Sequence, residues 1–355
     1  MKEHKYKYEW TLKDANFTKD KGKVFSCFAC GGGSTMGYKL AGFDVIGCNE
    51  IDPKMIEAYK TNHNPKYAYL EPIQTFKLRK DLPKELYDLD ILDGSPPCSS
   101  FSMAGNREKD WGKEKKFREG QANQVLDNLF FDFIDLAKEL QPKVVVAENV
   151  SGLMMGAAKE YVKKIYSAFK EAGYQLRIEP YLLDASTMGV PQRRRRVFFI
   201  ALRNDLAPKF MEQIDMFQQA PKLELNFNEP EIPYKHIRQE KGNDNAIGLS
   251  TKIKEYWLLC EAGNSFSSVH PKGSYFNEIK LHPDKVLPTI RANGLPYDYK
   301  LQRTLFDDET KKAGSYPMDY DFGKLKPEYL IGMSVPPIMT AQISSRIYEQ
   351  WLSNI

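Results

Sequence analysis

The sequence predicts an α/β fold: a doubly wound, mainly parallel sheet with a smaller, loop-rich second domain. Three observations point there. Short buried runs alternate with helical periodicity through the first 203 residues, the rhythm of a parallel sheet. The turns between them carry glycines, prolines and helix caps. Beyond Arg203 the rhythm stops, and residues 204–325 are rich in Pro, Asn, Gly, Asp and Lys with weak periodicity. We therefore expect a sheet-based domain over 1–203, a second domain with its hinge over 204–325, and a return to the first domain over 326–355.

The elements follow in order. Residues 1–22 are polar and lysine-rich, an irregular lead-in. The apolar run 24–28 reads as a buried strand. It meets the turn Ala29-Cys30-Gly31-Gly32-Gly33-Ser34, whose Ser34 is the expected N-cap of a helix over 35–41 that Gly42 stops. Residues 43–49 form the next strand and end at Glu50. Asp52-Pro53 opens a helix, the Asp as cap and the Pro in its first turn. A strand over 88–93 runs into Gly94-Ser95-Pro96-Pro97-Cys98. An amphipathic helix passes through 129–136, and Val144-Val145-Val146-Ala147 is a buried strand ending at Glu148-Asn149. A helix near 160–172, strands near 175–183 and 197–202, and a closing amphipathic helix over 341–352 complete the pattern.

Bulk properties exclude several classes. No apolar run reaches the ~18 to 20 residues that a membrane span needs, and the first residues, Met1-Lys2-Glu3-His4-Lys5, lack the apolar core of a secretory leader. Five cysteines are an odd and sparse set, which argues against a disulfide framework and for a reducing, cytoplasmic setting. Cys27 and Cys30 are spaced as CxxC, but no second pair accompanies them, so no metal is expected. A net charge of +4 means that a nucleic-acid partner would be met by local basic patches.

Strand, glycine turn, helix, strand and acid together resemble a nucleotide-binding unit. Glycines let the backbone approach a ligand, the helix N-terminus favours an anion, and Glu50 is placed for ribose hydroxyls. A tight turn with no ligand reads equally from those residues. The turn lacks the Gly-Lys-Ser/Thr of a P-loop and the spacing of G-x-G-x-x-G. Pro96-Pro97-Cys98 delivers a thiol to a strand end, or is a bent loop with a buried cysteine. Glu148 suits general acid chemistry, a cap or an ion pair. The run Arg193 to Arg196 suits a site or a solvated face, and strand alternation turns Arg195 away from Arg194 and Arg196.

Taken in order, these segments resemble the C5-cytosine DNA methyltransferases of bacterial restriction-modification systems. Phe28-Ala29-Cys30-Gly31-Gly32-Gly33 is similar to that family's F-x-G-x-G-G cofactor loop, and Glu50 to its ribose-binding acid. Gly94-Ser95-Pro96-Pro97-Cys98 with Phe101-Ser102 resembles the catalytic loop. Glu148-Asn149-Val150 resembles E-N-V, and Gln192-Arg193-Arg194-Arg195-Arg196 resembles Q-x-R-x-R. Leu287-Pro288-Thr289-Ile290-Arg291 and Gly332-Met333-Ser334-Val335-Pro336-Pro337 resemble the two closing elements. Three residues depart from the pattern: Cys30 replaces a glycine, Pro72 an aspartate that meets the adenine amino group, and Met333 an asparagine.

The resemblance implies the S-adenosyl-L-methionine-dependent methyltransferase fold. It implies that cofactor as methyl donor and S-adenosyl-L-homocysteine as product. The implied contacts are Phe28, Ala29, Gly31, Gly32, Gly33, Glu50, Ile51, Ile73, Pro96, Leu129 and Ser334, with the adenine between Phe28 and Ile51. The implied catalytic set is Cys98, Glu148, Arg194 and Arg196. Cytosine C5 is a poor nucleophile until a thiolate adds at C6, and cysteine reaches thiolate near neutral pH with a modest pKa drop. Addition builds electron density at N3 and O2, where Glu148 and Arg196 are the implied acid and cation. A thiol rather than an aromatic residue after the prolines favours carbon over nitrogen methylation.

The target base has to be flipped from duplex DNA. Ser99, Ser102, Arg107, Lys109, Lys113 and Arg291 are the expected DNA contacts. Residues 103–123, bracketed by Gly105 and Gly120 and rich in cations, read as a lid or as an ordinary charged surface loop. Target recognition is expected within 204 to about 286, where His236, Arg238 and Lys241 are candidate readers. A monomer near the nucleoid is expected, and the sequence leaves open whether a restriction endonuclease accompanies it. Two alternatives stand beside this reading: a tRNA cytosine-C5 methyltransferase of the same fold, and a DNA-binding protein without catalysis.

Overall fold

A computed structural model describes residues 3–97, 114–115, 124–125, 128–155, 158–214, 218–242 and 248–355. Two compact units account for the chain, one comprising residues 16–183, 195–226 and 341–355, the other 1–15, 184–194 and 227–340.

The first unit is built on the sheet. Strands β1 (Lys23–Cys27), β2 (Asp44–Glu50), β3 (Tyr67–Leu70) and β4 (Ile91–Gly94) come first, then the two-residue pair β5 (Glu114–Lys115) and β6 (Gln124–Val125). β7 (Val144–Val150), β8 (Tyr174–Leu176), β9 (Tyr181–Asp184) and β10 (Arg195–Arg203) follow. The strand order is β3-β2-β1-β4-β7-β10-β8, with β9 also on β10, while β5 and β6 pair separately. β1 runs parallel to β2 and β4, β2 to β3, and β4 to β7. β10 is antiparallel to both β7 and β8, so the sheet is parallel on one side and mixed at the other edge. A doubly wound α/β sheet is what the alternation predicted.

Helices α1 (Gly33–Leu40), α2 (Pro53–His63), the single turn α3 (Ile73–Phe76), α4 (Leu129–Leu140) and α5 (Ala158–Glu171) connect the strands. Alternation along each strand sorts its side chains. Phe25, Cys27, Leu92, Val145, Ala147, Val197 and Phe199 join Phe130 and Phe133 of α4 and Ile165 and Phe169 of α5 in one apolar cluster. The intervening residues Ser26, Asp93, Glu148 and Arg196 face the other way. A hairpin of β11 (Met211–Gln213) and β12 (Gln219–Pro221) also belongs to this unit.

The second unit has little sheet. It holds α6 (Thr251–Leu259), α7 (Asp307–Ala313), α8 (Pro327–Met333) and the start of α9 (Pro337–Gln350). Its loops are fixed by buried polar groups: Asp298 accepts bonds from Tyr234 Oη (2.7 Å) and Arg238 Nε (2.6 Å), and Arg303 pairs with Glu309 at 2.7 Å.

Local differences from the sequence reading have physical causes. Ser34 does not cap α1: the N-cap is Gly32 in a left-handed conformation, and the Ser34 hydroxyl bonds Asp93 instead. The strand expected from 88 begins at Ile91, because Asp90 turns its carboxylate to the Lys23 amide and the Lys143 ammonium. The run 175–183 splits into β8 and β9 around Pro180, which has no N–H to give a ladder. The last helix begins at Pro337, earlier than expected, since proline suits a first turn.

Candidate functional site

The strand order reverses between β1 and β4, and open α/β sheets gather ligands outside the carboxyl ends of strands at such a switch. Three chain segments leave the sheet there. β1 leads into the glycine turn, β4 into Ser95-Pro96-Pro97, and β7 ends on Glu148, Asn149 and Val150.

The glycine turn is an unusual piece of backbone. Phe28 (φ 52°), Cys30 (φ 47°) and Gly32 (φ 86°) all take left-handed conformations. Glu50 holds it in place. Its carboxylate accepts the Cys30 amide at 2.8 Å through one oxygen, and the Ile51 and Asp52 amides at 2.8 and 2.9 Å through the other. Burial pushes the Glu50 carboxyl up while these three bonds pull it down. Behind the turn, His63 donates from Nε2 to the Gly31 carbonyl at 3.2 Å, and burial drops its pKa to about 3, so the ring is neutral. A side chain on Gly32 would begin 2.2 Å from that nitrogen, which leaves room for glycine alone. α1 then starts with no side-chain cap and no acid in its first turn. Helix starts leave amides without intrahelical partners, and these suit an anion.

Next along the sheet, buried Asp93 accepts hydroxyls from Ser34 (2.7 Å), Ser26 (2.8 Å) and Tyr38 (3.1 Å). Burial raises its pKa to about 6, the hydroxyls oppose the shift, and the Glu148 charge adds to it. On the following strands, Glu148 and Arg196 form a nearly buried ion pair, Nε to Oε1 at 3.0 Å. Antiparallel register puts Glu148 opposite Phe198 and Val150 opposite Arg196, so the guanidinium reaches one rung along to its partner. Burial lowers the Arg196 pKa and the Glu148 charge opposes it. Nη1 donates to the Arg195 carbonyl at 2.8 Å, and a guanidinium has five N–H donors, so the fork retains capacity. Asn149 ties β7 to the β4 exit, its Nδ2 donating to the Pro96 carbonyl at 3.1 Å. Gly94 is required there, because a Cβ would lie 2.5 Å from the Phe133 ring.

The expected residues distribute unevenly. Phe28, Ala29, Gly31, Gly32, Gly33, Glu50, Ile51, Pro96, Glu148 and Arg196 all belong to the sheet unit at these strand ends. Phe28 and Ile51 are half-buried, whereas Ile73 and Leu129 are sealed within the apolar cluster. Arg194, Arg291 and Ser334 belong to the other unit. Arg194 is buried and donates to the carbonyls of Ile290 (3.2 Å) and Gly332 (2.9 Å). Arg291 bonds the Asn277 carbonyl at 2.8 Å, and Ser334 donates to the Leu330 carbonyl while receiving the Tyr316 hydroxyl. Arg238 is committed to Asp298 and Glu240 rather than free to read a base. Cys98, Ser99, Ser102, Arg107, Lys109 and Lys113 lie outside the described residues, as does most of the expected lid.

Sequence reasoning missed Asp93 and His63. Asp93 did carry a signal: an acid at the last buried position of an apolar strand, directly before Gly-Ser-Pro-Pro, needs partners. His63 had none, since a histidine ending a helix is ordinarily a C-terminal charge partner. Among the described residues, no three His, Cys, Asp or Glu side chains gather as a metal site, and no helix is long and apolar enough to cross a membrane.

Comparison with known proteins adds four findings. Residues 22–349 match the model of the C-5 cytosine-specific DNA methylase family. The chain is 36% identical to the Type II methyltransferase M.FnuDI of Fusobacterium nucleatum over 52% of its length and 48% of that protein's, so it spans about half of that relative. It is 26% identical to the Type II methyltransferase M.XorII of Xanthomonas oryzae over 91% of its own length and 83% of the other's. In structure it is similar to a protein encoded within an E. coli prophage. The TM-score is 0.68 at 21% identity, covering 92% of this chain and 99% of that one.

Proposed function

The chain belongs to the C-5 cytosine-specific DNA methylase family, and on that premise we propose that it is a DNA (cytosine-5-)-methyltransferase acting on a base flipped from duplex DNA. The observation that carries the proposal is the Glu148–Arg196 pair at 3.0 Å, at the strand ends beside the segment that leads to Cys98. An acid and a cation held side by side match the two polar edges of cytosine, N3 and O2.

In this reading the Cys98 thiolate adds to C6 and the ring's electrons move toward N3 and O2. Glu148, protonated as the flipped base enters, shares its proton with N3, and the spare N–H groups of Arg196 hold O2. C5 becomes the nucleophilic carbon of an enamine. After methylation the C5 proton passes to water, Cys98 departs as thiolate and the N3 proton returns to Glu148, which restores the aromatic ring. The Asn149–Pro96 bond keeps the β4 exit against β7, so the thiol's loop and the acid start from one scaffold.

The residues present fit S-adenosyl-L-methionine, which when bound supplies the methyl group. The uncapped start of α1 suits a carboxylate, Glu50 retains lone pairs for ribose hydroxyls, and half-buried Phe28 and Ile51 suit a purine. Target recognition is assigned to the segment from 204 to about 286. The Type II designation of the relatives supports reading this chain as the protective half of a restriction-modification pair.

Bisulfite sequencing of DNA from a host expressing the chain tests the proposal. Protected cytosines in one sequence context are expected. Unmodified DNA from a host making folded protein would sink it, and methylation confined to tRNA would replace the substrate.

A further inference from the structure

We propose that Asp93 is a positioning residue that fixes the cofactor turn to the strand carrying the Pro-Pro segment; the proposal rests on the methyltransferase reading of the site. Its carboxylate takes three hydroxyls from two elements. Ser26 belongs to β1 just before the glycine turn, and Ser34 and Tyr38 belong to the first and second turns of α1, just after it. The turn is therefore pinned on both its entry and its exit by one side chain of the neighbouring strand. Asp93 also immediately precedes Gly94-Ser95-Pro96-Pro97, whose Pro96 carbonyl is held by Asn149.

The arrangement is costlier than packing requires. A buried carboxylate without partners is strongly unfavourable, and an apolar residue there would need none of the three hydroxyls. The hydroxyls of Ser26 and Ser34 lie 3.5 Å apart, both aimed at the same oxygen, so the cluster is a converging one. α1 has no side-chain cap because its N-cap is Gly32, and Ser34, the second residue of the helix, turns its hydroxyl inward to Asp93. The start of the helix therefore stays without a side-chain acceptor where the ligand's anionic group would lie. Asp93 thus sets the position of the turn without touching the ligand.

Calorimetric binding of S-adenosyl-L-homocysteine to the full chain, with single-turnover methylation beside it, distinguishes this from a structural role. Displacing a bound reactant by about 1 Å can cost about 100-fold in rate. Asp93→Ala and Ser34→Ala should each weaken ligand binding about 10- to 100-fold and slow transfer at saturating cofactor. Their combination should be little worse than Asp93→Ala alone, because both break one cluster. Asp93→Asn, which keeps an acceptor oxygen, should recover most of the binding. Ser34→Ala removes only one of three donors and keeps the test readable if alanine at 93 does not fold. Variants that lose only thermal stability, with wild-type affinity and single-turnover rate in the folded fraction, would overturn the proposal. Binding needs no turnover, so an inactive wild-type chain would count against the methyltransferase reading while the affinities still judged Asp93.

Discussion

The two faces of the central sheet are made by the same strands and do opposite things. On β1, β4, β7 and β10, one set of alternate residues is Phe25, Cys27, Leu92, Val145, Ala147, Val197 and Phe199, closed under α4 and α5. The other set, one residue out of step, is Ser26, Asp93, Glu148 and Arg196, joined by hydroxyl–carboxylate bonds and an ion pair. The apolar face lowers the free energy of the fold by burial. The polar face gives up some of that gain to hold charges near the strand ends. A period of two lets chemistry and packing be chosen almost independently, residue by residue.

Substitutions on each face should therefore separate rate from stability. Glu148→Gln keeps an oxygen for Arg196 but loses the acid, so transfer should fall by about 100- to 10,000-fold with little change in Tm. Stopped reactions on trapped DNA would read this, and a near-normal rate would assign N3 to another group. On the opposite face of β10, Phe199 is fully buried against the rings of Phe130 and Tyr166. Phe199→Ala should cost about 3 to 5 kcal/mol of stability in urea titration, with the rate per folded molecule preserved. A matching loss of rate would mean that the faces are coupled.

Smaller effects sharpen the contrast. Asp93 titrates at about 6 when folded against about 3.9 unfolded. A raised folded pKa contributes stability that is complete below the unfolded value and is lost as pH rises through the folded one. The groups facing Asp93 are Ser26, Ser34, Tyr38 and Glu148. Asp93→Asn should therefore gain Tm relative to wild type between about pH 4 and 6, and a constant difference across that window would remove Asp93 as the titrating group. Smallest of all, Cys30 occupies a left-handed conformation at φ 47°. Cys30→Gly should stabilise the turn by about 1 kcal/mol, read as a higher midpoint in urea, and an unchanged or lower midpoint would show that the thiol's packing outweighs the relief.

How legible was this? Most strands of the sheet were readable, because buried β-branched runs and cap residues such as Asp52 carry local signals; Asp52 does accept the Lys54 and Met55 amides. The edge strand β3 was not, because its residues are half-buried to exposed and form no buried apolar run. The reversal of β10 was not, since nothing in Arg195–Arg203 states which way a strand runs against its neighbours. At the site, Glu148 and Arg196 were readable as residues but their pairing was not, as 48 positions of chain separate them. Ser34 suits a cap in sequence, but α1 begins one residue before it with Gly32 as the cap, and the hydroxyl serves the buried Asp93. The left-handed angle at Cys30 is one that glycine, the residue at this place in the resembled F-x-G-x-G-G loop, adopts without strain.

One consequence of the Glu50 carboxylate is genetic. Three backbone amides, one in the turn and two in the link from β2 to α2, end on that one side chain. An allele altering Glu50 would lose the loop's anchor together with the ribose acceptor proposed there, so it could not separate ligand affinity from the integrity of the protein. Glu148, whose ion-pair partner is the Arg196 side chain on the neighbouring strand, can yield such a separation-of-function allele. A screen for protein that is abundant and folded yet silent should therefore return position 148 and leave position 50 among the merely unstable.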